Sequence, residues 1–150
     1  MTIRRRETGE ERGNVSELTT IDVRDARGRV TFRLRCPPGL VGMTRSLLTG
    51  RYDLSGIPEP HRILDIGAGV GAFAIWAWSQ WSRAWVDCYE PDPDLAALCA
   101  EHLPPGGAML TQPPEYVGDY DLVRFARPGT HYPRRPRGQL TYLVDYQERP

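Results

Sequence analysis

The sequence predicts an α/β fold in which a parallel sheet with crossover helices follows a β-hairpin, and three observations carry that prediction. Ile63, Leu64 and Ile66 form a short apolar run that breaks at Gly67, Gly69 and Gly71 into an apolar, helix-length segment beginning at Ala72. That is the pattern of a buried strand, a sharp turn and a helix. A second apolar run, Trp85 to Tyr89, ends on the acidic Glu90, nineteen positions after Gly71, where the second strand of a βαβ unit is expected to end. Upstream, two alternating segments flank Asp25-Ala26-Arg27-Gly28, which is turn chemistry between paired strands. Together these describe a Rossmann-like sheet preceded by a hairpin over residues 16–36.

Taken in order, residues 1–15 are polar and charged without periodicity and predict a flexible tail, with residues 16–150 as one domain. Leu18, Thr20 and Asp22 alternate with Thr19, Ile21 and Val23, and Val30, Phe32, Leu34 and Cys36 line one face of the return strand. Leu40, Met43, Leu47 and Leu48 have helical spacing, closed by Gly50, and Tyr52 follows either as a packing residue or as part of the acceptor site. The helix after the glycines, residues 72–82, carries Trp76 and Trp78 about 200° apart, so one of them must face away from the sheet. With Trp81 and Trp85 nearby, a subunit interface is the expected use of that surplus. The next helix runs from Pro93 to His102, turns Leu95, Leu98 and Cys99 inward and stops before Pro104-Pro105.

Further strands are expected at residues 108–111, 121–125 and 139–146, which leaves no room for a sixth and seventh. The sheet is therefore abbreviated at its C-terminal end. Residues 127–137 are rich in Pro and Arg and cannot form a regular crossover helix, so irregular pairing of the last strand is expected. Its alternating Leu140, Tyr142, Val144 and Tyr146 suggest a face covered by a second subunit, and a homodimer is expected.

At 150 residues the chain is long enough for one hydrophobic core. No apolar run approaches the roughly 20 residues of a membrane span, and the start, MTIRRRETGEERG, has no apolar signal core, so a cytoplasmic protein without membrane contact is expected. Cys36, Cys88 and Cys99 have neither disulfide nor metal spacing and read as buried thiols. All 19 basic residues are Arg, which excludes Schiff-base chemistry. The 19 acids bring the formal charge to zero, and the basic ends read as solvated rather than as a nucleic-acid surface.

The glycine turn and Glu90 call for an adenosine, with Glu90 on the ribose hydroxyls and open amides at the helix start. Gly67, Gly69 and Ala72 also satisfy the looser dinucleotide pattern. Asp65 separates the two, because an acid two positions before the first glycine repels a pyrophosphate and attracts the ammonium group of a methionine.

On these residues the chain resembles the class I S-adenosylmethionine-dependent methyltransferases, LDIGAGVG matching their first motif and YEPDP their second. A narrower likeness, carried by the hairpin, GRYD, ILDIGAGVGAFAI and CYEPDPDLAALCAEHL from Thr20 to about Leu103, is to the FkbM-type methyltransferases. The resemblance implies S-adenosylmethionine as cofactor, a class I methyltransferase sheet, and methylation of a hydroxyl on a small molecule or glycan. It places Asp65, Gly67, Gly69 and Gly71 around the methionine end, Glu90 on the ribose and Pro91 against the adenine. Beyond Leu103 it fades: the family's Asp-x-Glu-Gly element is replaced by Asp121-Leu122-Val123 running into Arg124, Phe125 and Ala126. For the acceptor side the candidates are His131, whose ordinary pKa of about 6.5 suits a general base, and Tyr132. Two alternatives stay open: an inactive methyltransferase-like binding or regulatory subunit, and an NAD-binding fragment.

Overall fold

The computed structural model describes residues 17–50, 52, 54, 56–126 and 141–144. The hairpin is β1 (Thr19–Arg24) and β2 (Val30–Cys36), antiparallel with Ile21 opposite Leu34. Its turn closes as the sequence predicts: Gly28, at φ +78°, donates to the Asp25 carbonyl, and the Asp25 carboxylate accepts from the amides of Arg27 and Arg29. A 3-10 turn at Pro38–Leu40 leads into α1 (Val41–Leu48).

The main sheet contains β3 (Arg62–Ile66), β4 (Trp85–Tyr89), β5 (Gly107–Met109), β6 (Leu122–Phe125) and β7 (Thr141–Val144), joined by α2 (Ala72–Gln80) between β3 and β4 and α3 (Pro93–His102) between β4 and β5. The strand order is β5-β4-β3-β6-β7 and every pairing is parallel. This is the 3-2-1-4-5 winding of a Rossmann-like sheet. β7 pairs with β6 in regular parallel register, Leu122 opposite Thr141 through Phe125 opposite Val144, where irregular pairing was expected. β5 is shorter and starts earlier than the 108–111 segment, because Gly107 already pairs with Val86.

The winding reverses between β3 and β6. Chain leaving β3 travels through α2, β4, α3 and β5 to one edge, then returns to the other side of β3. Such a switch point leaves a crevice beyond the carboxyl ends of the strands, where ligands of these folds bind.

Helix α2 is apolar on every side: residues from Ala72 to Ala77 are all buried. A helix buried all round needs cover on two sides. Phe73, Ala74, Trp76 and Ala77 pack on the sheet with Ile63, Val86, Cys88 and Leu122. Ala72 and Ile75 instead join Ile21, Leu34 and Cys36 of the hairpin, Leu47 of α1 and Leu98 of α3. The hairpin and α1 therefore form a third layer. Each fully buried side chain of Phe or Leu size contributes about 1.5–3 kcal/mol, so the outer layer is integral to the core. Trp76 sits inside it, its ring 5.8 Å from both Tyr52 and Trp81. Gly50, at φ +67°, is required beside it, since a Cβ there would land on the indole Nε1. The large apolar side chains left exposed among the described residues are Trp85 (43%) and Tyr116 (54%).

On the opposite face, Leu64, Ile66, Val117, Tyr120, Val123 and Phe125 form a separate cluster, covered by the loop between β5 and β6. Asp87 is buried there, its carboxylate accepting from Trp85 Nε1 and Tyr120 OH, each at 2.7 Å. Among the described residues no helix is long and apolar enough to cross a membrane. Cys36, Cys88 and Cys99 are all buried free thiols.

Candidate functional site

Gly67, Gly69 and Gly71 have φ of +79°, +58° and +92°. The three differ in what a side chain would meet. A Cβ on Gly67 would lie 2.5 Å from the Ala126 Cβ, and one on Gly71 would lie 3.2 Å from the Cys99 Sγ. At Gly69 no described residue lies within 4 Å of such a Cβ, so among the described residues the middle of the turn opens to space. The first and last glycines let β6 and α3 approach; the middle one leaves room for a ligand.

The turn is held from β4. The amides of Gly67 and Ala68 donate to the Tyr89 carbonyl at 2.9 and 3.0 Å. Glu90 completes the hold, accepting from Gly69 N at 2.7 Å through Oε2 and from Asp92 N at 3.0 Å through Oε1. It stands beside the turn, with both oxygens engaged by backbone amides where ribose hydroxyls were the expected partners. Pro91, the expected adenine contact, is exposed. Asp92 caps α3 by accepting from the amides of Asp94 and Leu95. No side chain caps α2, whose first turn faces the crevice.

Asp65 is fully buried, and the structure gives it a partner that sequence reasoning missed. Arg124 lies opposite it in the β3–β6 register and donates from Nη1 to Asp65 Oδ1 at 2.6 Å. The same nitrogen is 3.4 Å from the Gly67 carbonyl, and Nε donates to the Tyr52 hydroxyl at 3.1 Å. The guanidinium carbon lies 5.2 Å from the centre of the Phe73 ring. Burial pushes the Asp65 carboxyl above its ordinary pKa and Arg124 pulls it back. For Arg124, burial works against the charge, but Asp65 and Tyr52 outweigh it and the pKa is raised. Among the described residues Asp65 Oδ2 has no hydrogen-bond partner.

The signal for Arg124 was in the sequence. An Arg inside Leu122–Phe125 and an Asp inside Arg62–Ile66 are two charges in buried strands, and buried charges persist only when paired. Tyr52 packs edge-on against Phe73 at 5.5 Å, the packing alternative of the two open for it. His131 and Tyr132 lie outside the described residues.

His102 links the outer layer to the turn. Its Nε2 accepts from the Arg35 amide of β2 at 2.9 Å, so Nδ1 carries the proton and donates to the Val70 carbonyl at 2.7 Å. Burial holds its pKa below the ordinary value. Arg35 and Glu101 form an ion pair beside it.

No protein-family model and no curated protein matches the chain. Solved structures similar to it include human N-acetylserotonin methyltransferase in complex with SAM, at 22% identity and TM-score 0.39 over 57% of this chain and 24% of that one. A putative O-methyltransferase from Nostoc punctiforme aligns at 18% identity and TM-score 0.44 over 58% and 27%. P. horikoshii TYW2 in complex with MeSAdo aligns at 13% identity and TM-score 0.46 over 71% and 41%. The chain thus spans less than half the length of each of these proteins.

Proposed function

We propose that the chain is an S-adenosylmethionine-dependent methyltransferase of the FkbM type, working as a homodimer on a hydroxyl of a small molecule or glycan. The observation that carries the cofactor reading is Asp65 Oδ2, a buried carboxylate oxygen at the switch point without a partner among the described residues. An unmet buried acceptor is costly, and an entering N–H donor would remove the cost. Because Arg124 offsets the charge of Asp65, the preference for an ammonium over a pyrophosphate no longer rests on repulsion. It rests on hydrogen-bond valence: a phosphate oxygen has no proton to donate to Oδ2. In this reading Asp65 holds the ammonium, Gly69 leaves room for the methionine end in a turn that Gly67 and Gly71 shape, Glu90 turns to the ribose, and Pro91 borders the adenine.

The cofactor, when bound, supplies an electrophilic methyl group for in-line displacement. The chain's own work is to fix the acceptor in line and exclude water, with His131 and Tyr132 proposed at the acceptor side and His131 as the group that takes the hydroxyl proton. One observation favours a binding subunit without turnover: β6 ends in Arg124, Phe125 and Ala126 where the resemblance calls for an acidic element.

Calorimetric titration with S-adenosylhomocysteine and NAD tests the reading. The adenosyl amino acid is expected to bind and NAD to fail. Glu90→Ala is expected to weaken binding about tenfold to hundredfold, the cost of one charged acceptor of about 1.5–3 kcal/mol. An unchanged dissociation constant overturns the assignment.

A further inference from the structure

Asp65 and Arg124 face each other across the two strands between which the sheet reverses its winding. A purely structural Arg–carboxylate pair gains most by engaging both oxygens. Here Nη1 takes Oδ1 alone, at 2.6 Å, and also approaches the Gly67 carbonyl, while Nε is directed to the Tyr52 hydroxyl. Tyr52 is in turn wedged against Phe73 and Trp76. The guanidinium is therefore clamped in one orientation by β3, α2 and the segment before β3. That orientation leaves Oδ2 buried and, among the described residues, without a partner.

We propose that Arg124 is a positioning residue for the amino-acid end of the cofactor: by binding Oδ1 alone it keeps Asp65 a carboxylate and reserves Oδ2 for one ammonium N–H. This rests on the reading that an adenosyl amino acid is the ligand. Without Arg124, burial and the charge of Glu90 would both favour the protonated acid. The other groups around Asp65 do not supply the missing charge. Cys88 lies opposite it on β4, and the Cys99 thiol, burial and the neighbouring carboxylates push the Cys88 thiol well above its ordinary pKa, so it stays neutral. Tyr52 reaches Asp65 through Arg124.

The test measures binding of S-adenosylhomocysteine and of 5′-methylthioadenosine, which keeps the nucleoside and sulfur but lacks the amino-acid end, from pH 6 to 8.5. For the unaltered chain, S-adenosylhomocysteine is expected to bind more tightly with a flat profile. Arg124→Met is expected to lose affinity for it as pH falls, by up to about tenfold per pH unit, as one proton competes for Asp65. Arg124→Lys should restore much of the flat profile. A folded Arg124→Met that keeps unaltered affinity and a flat profile overturns the proposal. Should Arg124→Met fail to fold, the double variant Asp65→Asn/Arg124→Met removes both charges. Loss of its preference for S-adenosylhomocysteine over methylthioadenosine supports the proposal; full retention overturns it. If the unaltered chain binds neither nucleoside, the cofactor reading fails and the role of Arg124 falls with it.

Discussion

Alanine substitution at Gly67 and at Gly69 should separate the folding role of the glycine turn from its binding role. Both residues sit at positive φ, and placing an L-residue there costs about 1–2 kcal/mol. At Gly69 that is the whole cost, because an added Cβ meets no described residue within 4 Å. At Gly67 the Cβ would stand 2.5 Å from the Ala126 Cβ, more than 1 Å inside a carbon–carbon contact of about 3.5–4.0 Å. Relieving the overlap means displacing the end of β6, and overpacking of this kind adds about 1–3 kcal/mol. Gly69→Ala should thus cost about 1–2 kcal/mol and Gly67→Ala about 2–5. At about 4 °C per kcal/mol for a chain of this size, thermal unfolding followed by circular dichroism resolves the two. Titration with S-adenosylhomocysteine should give the reverse emphasis for Gly69→Ala: the smaller loss of stability but lost affinity, because the new methyl fills the open space of the turn. Equal destabilisation by the two substitutions would refute the packing of the turn against Ala126. Unaltered affinity of Gly69→Ala would refute its exposure to the ligand.

Two further outcomes follow from other parts of the molecule. His102 is held neutral by an amide that can only donate to Nε2. The unfolded chain therefore binds more protons between the depressed folded pKa and the ordinary value of about 6.5, so stability is complete above about pH 6.5 and falls as the pH drops toward the folded value. His102→Gln should remove that slope in urea unfolding and cost about 1–3 kcal/mol at pH 8 through its imperfect pairing of Arg35 N and Val70 O; an unchanged pH profile would refute the assigned tautomer. Light scattering at micromolar concentration is expected to give twice the 17.0 kDa chain mass, and a persistent monomeric mass with cofactor present would reject the dimer.

The elements legible in the sequence are those whose signal is local. Gly28 after Asp25 marks the hairpin, and Asp92-Pro93 before an i, i+3, i+4 apolar row marks the start of α3 to within a residue. Gly67, Gly69 and Gly71 announced a turn because three positive φ angles in five residues demand glycine. Charges inside buried strands were legible as groups in need of partners, but which distant segment supplies each partner was not. Arg124 and Asp65 are 59 positions apart and His102 and Arg35 are 67 apart, so their pairing emerges only when the strand order brings them together. The tryptophans show the same limit: the hairpin and α1 of the same chain cover the outward flank of α2 at Ala72 and Ile75, while Trp78 is partly buried. Trp76 and Trp81 pack against each other, and only Trp85 is largely exposed.

The apolar circumference of α2 also dictates where the polypeptide can be shortened. A version beginning at β3 would retain every strand of the main sheet and the whole glycine turn, and by its motifs alone would look sufficient for binding. It would, however, strip Ile21, Leu34, Cys36 and Leu47 from Ala72, Ile75, Val70 and Leu98, turning one flank of the central helix into a sticky surface beside the crevice. Such a fragment is expected to collect in inclusion bodies or to recruit another apolar surface. The amino-terminal hairpin thus serves as a fixed lining of the central helix, joined to the glycine turn by apolar packing and by the imidazole between Arg35 and Val70.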